Sequence, residues 1–179
     1  MQIIIDEHSD KSFYVETINV LNQYRRLIRK PEAKLRDYFR IMPRDAVLYA
    51  VLLAAYIALM CWLGTSPILM FFTAVLVVGV FFFALMTFHL NRSLKNFMEQ
   101  CQRNTPSVLT LDDDGVELRT EGVRTVRMAW SHIAFMRVFE RAMCFLSSDA
   151  NGFIISVDRV HEDEILSYLQ EKGCCRIIQ

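Results

Sequence analysis

Five cysteines, Cys61, Cys101, Cys144, Cys174 and Cys175, and four histidines, His8, His89, His132 and His161, are the side chains here best suited to metal binding or nucleophilic chemistry. Their spacing supports neither. There is no C-x-x-C pair, no H-E-x-x-H, and no nucleophile elbow, phosphate loop or dinucleotide fingerprint. The odd cysteine count argues against a closed disulfide framework. Adjacent Cys174-Cys175 offers lipidation or redox chemistry, but free cysteine usually acts as a small buried hydrophobe, and that reading is taken. The run Asp112-Asp113-Asp114 suggests calcium only superficially. A calcium loop spreads its oxygen ligands over roughly twelve residues. A solvated hairpin turn fits better, with Gly115 where positive φ is cheap. The expectation is a protein with no catalytic residues, no cofactor and no metal.

The basic residues are more informative. Between residues 24 and 44 stand Arg25, Arg26, Arg29, Lys30, Lys34, Arg36, Arg40 and Arg44, opposed by Glu32 and Asp37, an excess of eight minus two, or six. The formal net charge of the chain is zero, so this is a local concentration. One reading is contact with anionic lipid, carried by Arg25, Arg26, Arg29, Lys30, Lys34 and Arg36. Another is a topology signal that keeps this side of a membrane span in the cytoplasm. The two are compatible. Nucleic acid is a poor third reading, because no aromatic residues for base stacking accompany the charges.

A membrane enters through the next segment. Residues 46–63 carry no charge, and residues 68–90 carry none apart from His89, which can titrate. The second run would extend about 34 Å as a helix, against roughly 30 Å of hydrocarbon. A soluble fold would have to wrap two all-round apolar helices, and the rest of the chain is too short for that. A two-helix transmembrane hairpin over residues 46–90 is therefore predicted, joined by Gly64-Thr65-Ser66-Pro67. The N-terminus lacks the features of a cleaved signal. The uncharged loop and the flanking Arg40, Arg44, Arg92 and Lys95 place both termini in the cytoplasm of a cell-membrane protein. Ala46, Ala50, Ala54 and Ala58 recur every four residues, a spacing that lets helices approach closely. The short loop makes the second span, through Ala74 or Gly79, the default partner, with a second copy as the alternative.

The remaining elements would position these features. Residues 1–45 read as a strand at 3–5 and a basic amphipathic helix. Its apolar stripe is Phe13, Val20, Leu21, Tyr24, Leu27 and Ile28, its cap Ser12 or Asp10, and its breaker Pro31. The strand needs a partner and is expected to join the C-terminal sheet. Residues 91–105 read as a helical linker ended by Asn104-Thr105-Pro106. Residues 106–179 alternate in short runs cut by turns, then switch to a helix near 160–172 capped by Asp158 or His161 and closed by Gly173. Trp130, Phe153, Ile165, Leu166 and Leu169 are the expected core, with the Trp130 N–H bonded to backbone.

The order of elements carries a resemblance. The residues concerned are Val108-Leu109-Thr110-Leu111 with its Asp-Gly turn, Ala129-Trp130-Ser131-His132-Ile133, Phe145-Leu146, and Phe153-Ile154-Ile155-Ser156 leading into the helix. Over nearly its full length the chain resembles the YcxB-like family of bacterial membrane proteins. The resemblance implies a pleckstrin-homology-like (PH-like) α+β domain, an antiparallel sheet or partial barrel with one C-terminal helix, behind a helical hairpin. The family pattern has a Pro and a basic residue straight after the last strand. Here Ser156-Val157-Asp158-Arg159 stands there, so no ligand role is carried over. Two functions are consistent with this: a membrane-anchored binding or docking module for a protein or lipid partner, or an accessory subunit assembling with a transporter or membrane enzyme.

Overall fold

A computed structural model describes the chain except residues 6–9, 65, 102–106, 121–123, 150–151 and 179, and the side chains of residues 100, 101 and 124. It divides into two compact units, Met1–Arg36 with Asn96–Gln179, and Asp37–Lys95.

The first unit begins with β1 (Gln2–Ile5), α1 (Lys11–Asn22) and α2 (Tyr24–Arg29). After the second unit come β2 (Ser107–Leu111), β3 (Gly115–Thr120), β4 (Arg124–Ala129), β5 (Ile133–Val138), β6 (Ala142–Ser147), β7 (Ile154–Asp158), α5 (Glu162–Lys172) and β8 (Ile177–Ile178). Two sheets form, in the orders β1-β2-β3-β4 and β7-β6-β5-β8. All pairings are antiparallel except β5 with β8. The expected single bent sheet is thus two sheets, because a 3₁₀ turn at Trp130–His132 separates β4 from β5. The strand at the N-terminus pairs as expected: Ile3 lies opposite Leu109 and Ile5 opposite Ser107.

Alternation explains the core. Ile3, Leu109, Leu111, Val116 and Met128 from the first sheet pack with Met136, Met143, Phe145, Ile155 and Val157 from the second, and with Ile165 and Leu169 of α5. Strand β6 is buried at every position, the pattern of a strand covered on both faces. α1 packs against it and β7. The apolar helix stripe is thereby used inside the protein. Phe13, Val20, Tyr24 and Leu27 are buried, whereas Leu21 is exposed. Trp130 and Phe153 are only half-buried beside this core.

Several local expectations are corrected. The single N-terminal helix is two, because it breaks at Gln23. Asp10 holds the cap position of α1, but its carboxylate accepts from Ser12 Oγ (2.8 Å) instead of capping a backbone N–H. Neither Asp158 nor His161 makes a side-chain cap at the C-terminal helix. Gly173 closes that helix at φ +59° as expected. Gly115 is not a positive-φ residue; a Cβ there would lie 2.2 Å from the Met128 carbonyl oxygen, so close strand approach demands glycine. The turn expected at Glu121-Gly122 and the break at Asn104-Thr105-Pro106 lie outside the described residues.

The second unit holds α3 (Tyr38–Leu63) and the start of α4 (Pro67–Cys101). Both are long and apolar enough to cross a membrane, and their apolar windows are unburied. With 26 and 35 residues they extend about 39 and 52 Å. Ser66 starts α4, its Oγ accepting from the Leu69 N–H (3.2 Å). The helices meet through Tyr49 with Phe83 and Tyr56 with Phe72, and Thr73 Oγ1 reaches Met60 Sδ (3.2 Å). A Cβ on Gly79 would lie 2.5 Å from the Tyr49 ring, so this glycine admits the aromatic. The alanine stripe therefore does not form the seam. Ala50, Ala54 and Ala58 are exposed and Ala46 half-exposed. Tyr49, Leu53, Tyr56 and Met60 face inward instead, since larger side chains fill the gap between the helices.

Candidate functional site

The structure gathers the basic residues ahead of α3 into one exposed surface and fastens it from behind. On α2 the pattern YRRLIR buries Tyr24 and Leu27 and half-buries Ile28, leaving Arg25, Arg26, Arg29 and Lys30 in solvent. Residues 31–36 follow as a non-helical strap from which Lys34 and Arg36 also project, exposed. The break at Pro31 is the one its ring requires, because the preceding residue disfavours the helical region.

Three buried or half-buried side chains hold this segment. Gln23 is buried, and its amide pairs with both backbone groups of Arg36. Nε2 donates to the Arg36 carbonyl (2.7 Å) and Oε1 accepts from the Arg36 N–H (3.0 Å). Nε2 also reaches the Asn19 carbonyl (3.1 Å), which accepts the Gln23 backbone N–H as well (3.2 Å). Arg137 on β5 donates through Nη1 to the carbonyls of Pro31 and Ala33, the latter at 2.8 Å. Its guanidinium lies over the Phe139 ring, 4.8 Å from the centroid. Burial pulls the Arg137 pKa below its usual value, against the opposing pull of Glu32. Tyr24 brings its hydroxyl to the carbonyls of Ser147 and Asp149.

Glu16 on α1 fastens the other end. Its carboxylate accepts from the backbone N–H groups of Glu140 (3.2 Å), Arg141 (2.7 Å) and Ala142 (2.8 Å) at the β5–β6 turn. Burial raises its pKa above the ordinary carboxyl value, and the three N–H donors pull it back only in part. None of Glu16, Gln23, Tyr24 and Arg137 was nominated by sequence motifs. Tyr24 left a signal only as part of the apolar stripe, and Arg137 only as a charge in an otherwise apolar strand.

Among the described residues no carboxylate ion-pairs with Arg25, Arg29, Lys30 or Lys34, and Arg26 reaches only Gln23 Oε1 (3.4 Å). Elsewhere in the unit Arg127 pairs with Asp112 and Asp114, Arg159 with Glu162 and Lys172 with Asp113, whereas Lys11, Arg119, Arg141 and Arg176 form no ion pair among the described residues. From residue 25 to 36 the excess is six minus Glu32, or five.

The other candidates stay apart. Asp112 Oδ1 accepts from the N–H groups of Asp114 (3.0 Å) and Gly115 (2.8 Å), so the acidic run is an engaged turn. Trp130 closes over that turn, its Nε1 donating to the Asp112 carbonyl (2.9 Å). His132 lies 3.9 Å from Asp149, His161 3.7 Å from Glu164, and His8 is outside the described residues. Burial pushes the thiols of Cys144 and Cys175 well above their usual range, which makes them poor nucleophiles. Among the described residues no three His, Cys, Asp or Glu side chains could share a metal ion. Compared with family models, curated proteins and solved structures, the chain matches none of them.

Proposed function

We propose that this chain is a two-span membrane protein of YcxB-like type whose globular unit is a PH-like, non-enzymatic docking module held at the cytoplasmic surface. The observation that carries the reading is the pairing of β1 with β2. These strands lie on opposite sides of the two apolar helices in sequence, so the hairpin is an insertion within one folded unit. Two crossings return the chain to the side it left, as that ladder requires. The unit is then tethered twice, through Arg36 and through Asn96, and its partners meet it at a membrane surface. Six antiparallel strands, β2 to β7, followed by α5 support the PH-like assignment. The basic residues before α3 support the cytoplasmic side.

The exposed alanines of α3 favour a second reading, an accessory subunit whose hairpin packs against another membrane protein. A hairpin exchange separates the two. Residues 37–95 are replaced by an unrelated two-span hairpin, and photo-crosslinking in native membranes is read from positions on the globular unit. A docking module keeps its crosslinked products. Loss of every product after the exchange would sink the docking reading. A reporter after residue 179 that is active only outside the membrane would overturn the orientation.

A further inference from the structure

We infer that the outward face of α2 and the strap after it, Arg25, Arg29, Lys30, Lys34 and Arg36, binds the anionic headgroups of the bilayer as a charge-only surface, with no inserted side chain. The inference rests on the two-span reading above and names one partner of the unit. A basic topology signal needs only positive residues near a span. It does not require them to be exposed, unpaired and mounted on a fixed backbone. Here all three hold.

The side chains project from a helix turn and a strap that Gln23 and Arg137 pin to the protein, so little backbone entropy is lost on contact. Four of them, Arg25, Arg29, Lys30 and Lys34, stand close together in sequence, and none has a partner among the described residues. The covalent chain fixes the nearest counter-charge. Arg36 stands two residues before Tyr38, where α3 begins, and Arg40 and Arg44 follow in its first two turns. Fully extended, two residues span about 7 Å. A peripheral amphipathic helix would also bury its apolar face in the acyl boundary. That route is closed, because Tyr24 and Leu27 already lie in the protein interior. Attachment is therefore electrostatic, strongly salt-dependent, and indifferent to acyl-chain packing. Each basic group near an anionic leaflet strengthens it about fivefold.

The test uses the full chain in nanodiscs of phosphatidylcholine alone or with about a third phosphatidylglycerol, read by hydrogen exchange at ~20 mM and ~500 mM salt. Amides of residues 24–36 should exchange at least about threefold more slowly in anionic discs at low salt, and equally in the two discs at high salt. The combined variant R25Q/R29Q/K30Q/K34Q, which leaves the Gln23 contacts intact, should lose the difference while β6 keeps its protection. Equal exchange in both discs overturns the inference, as does a difference that survives the variant. Protection produced in neutral discs by inorganic phosphate overturns the bilayer as its source. Failure of the chain to stay in any disc overturns the two-span reading itself, and the inference with it.

Discussion

Gln23→Ala tests how the globular unit is fastened where the chain leaves for the first apolar helix. Arg36 is exposed, yet both of its backbone groups are bonded to a buried side-chain amide. Truncation removes those two bonds and the one to the Asn19 carbonyl. Each is worth about 0.5–1.5 kcal/mol net. The buried Asn19 carbonyl keeps the backbone N–H of residue 23 (3.2 Å), so the loss there falls toward the lower end. The sum is roughly 1.5–3.5 kcal/mol. Exchange of the Arg36 amide is the sharpest assay, because its partner among the described residues is Gln23 Oε1. In the variant that amide should exchange tens of times faster, while β6 amides slow or speed only with global stability. Gln23→Glu separates the two bonds, since it keeps an acceptor for the Arg36 N–H but sets a carboxylate against the Arg36 carbonyl. An Arg36 amide exchanging at the wild-type rate in Gln23→Ala would refute the fastening.

Burial holds the Glu16 carboxyl above its ordinary value of 4.5, so the folded state keeps this proton to higher pH than the unfolded chain. Its contribution is full below that ordinary value and lost as pH rises through the folded pKa; denaturation followed as pH is raised from that ordinary value should show this loss in the wild type and not in Glu16→Gln. Trp130→Phe removes the Nε1 donor to Asp112 and should cost about 1 kcal/mol, while Trp130→Ala should cost about 2–4 kcal/mol, less than full burial would give, by chemical denaturation. Gly115→Ala drives a Cβ against the backbone oxygen of Met128 and should destabilise by more than about 2 kcal/mol; an unchanged midpoint would mean that β3 and β4 can part without loss.

Patterns set by one segment alone were legible in the sequence. The apolar spans, the strand alternation, the closing Gly173 and the indole bond of Trp130 follow from local period or from one residue's own needs. What escaped depends on distant chain. The stripe of α1 and α2 reads equally as a membrane-lying face or as a lid on a sheet, because periodicity reports an apolar side and not what covers it. Glu16, Gln23 and Tyr24 looked like ordinary helix residues, since their partners lie at Ala142, Arg36 and Ser147. The alanines misled for a related reason. Small residues mark a face that can be approached closely, but Tyr49 and Tyr56 need Gly79 and the Phe72 and Phe83 rings, and that match sets the seam.

The order of segments also constrains assembly. Ile3 must find Leu109, more than a hundred positions away, and both apolar helices lie between them. Loop closure alone makes this cheap to tolerate and slow to reach. The hairpin resolves the difficulty if it forms first. Two helices seamed at Tyr49–Phe83 and Tyr56–Phe72 draw the chain ends at Asp37 and Lys95 toward one another and replace a long flexible loop by a short effective one. The first sheet can then add β1 to β2 as its last strand, with α1 and α2 settling over β6 behind it. On this order, weakening the seam by Gly79→Leu should slow the recovery of β1 protection after denaturation far more than it lowers the final stability of the β5–β6–β7 sheet. Equal effects on both, measured by pulsed hydrogen exchange in lipid discs, would show that the globular unit closes without help from the helices.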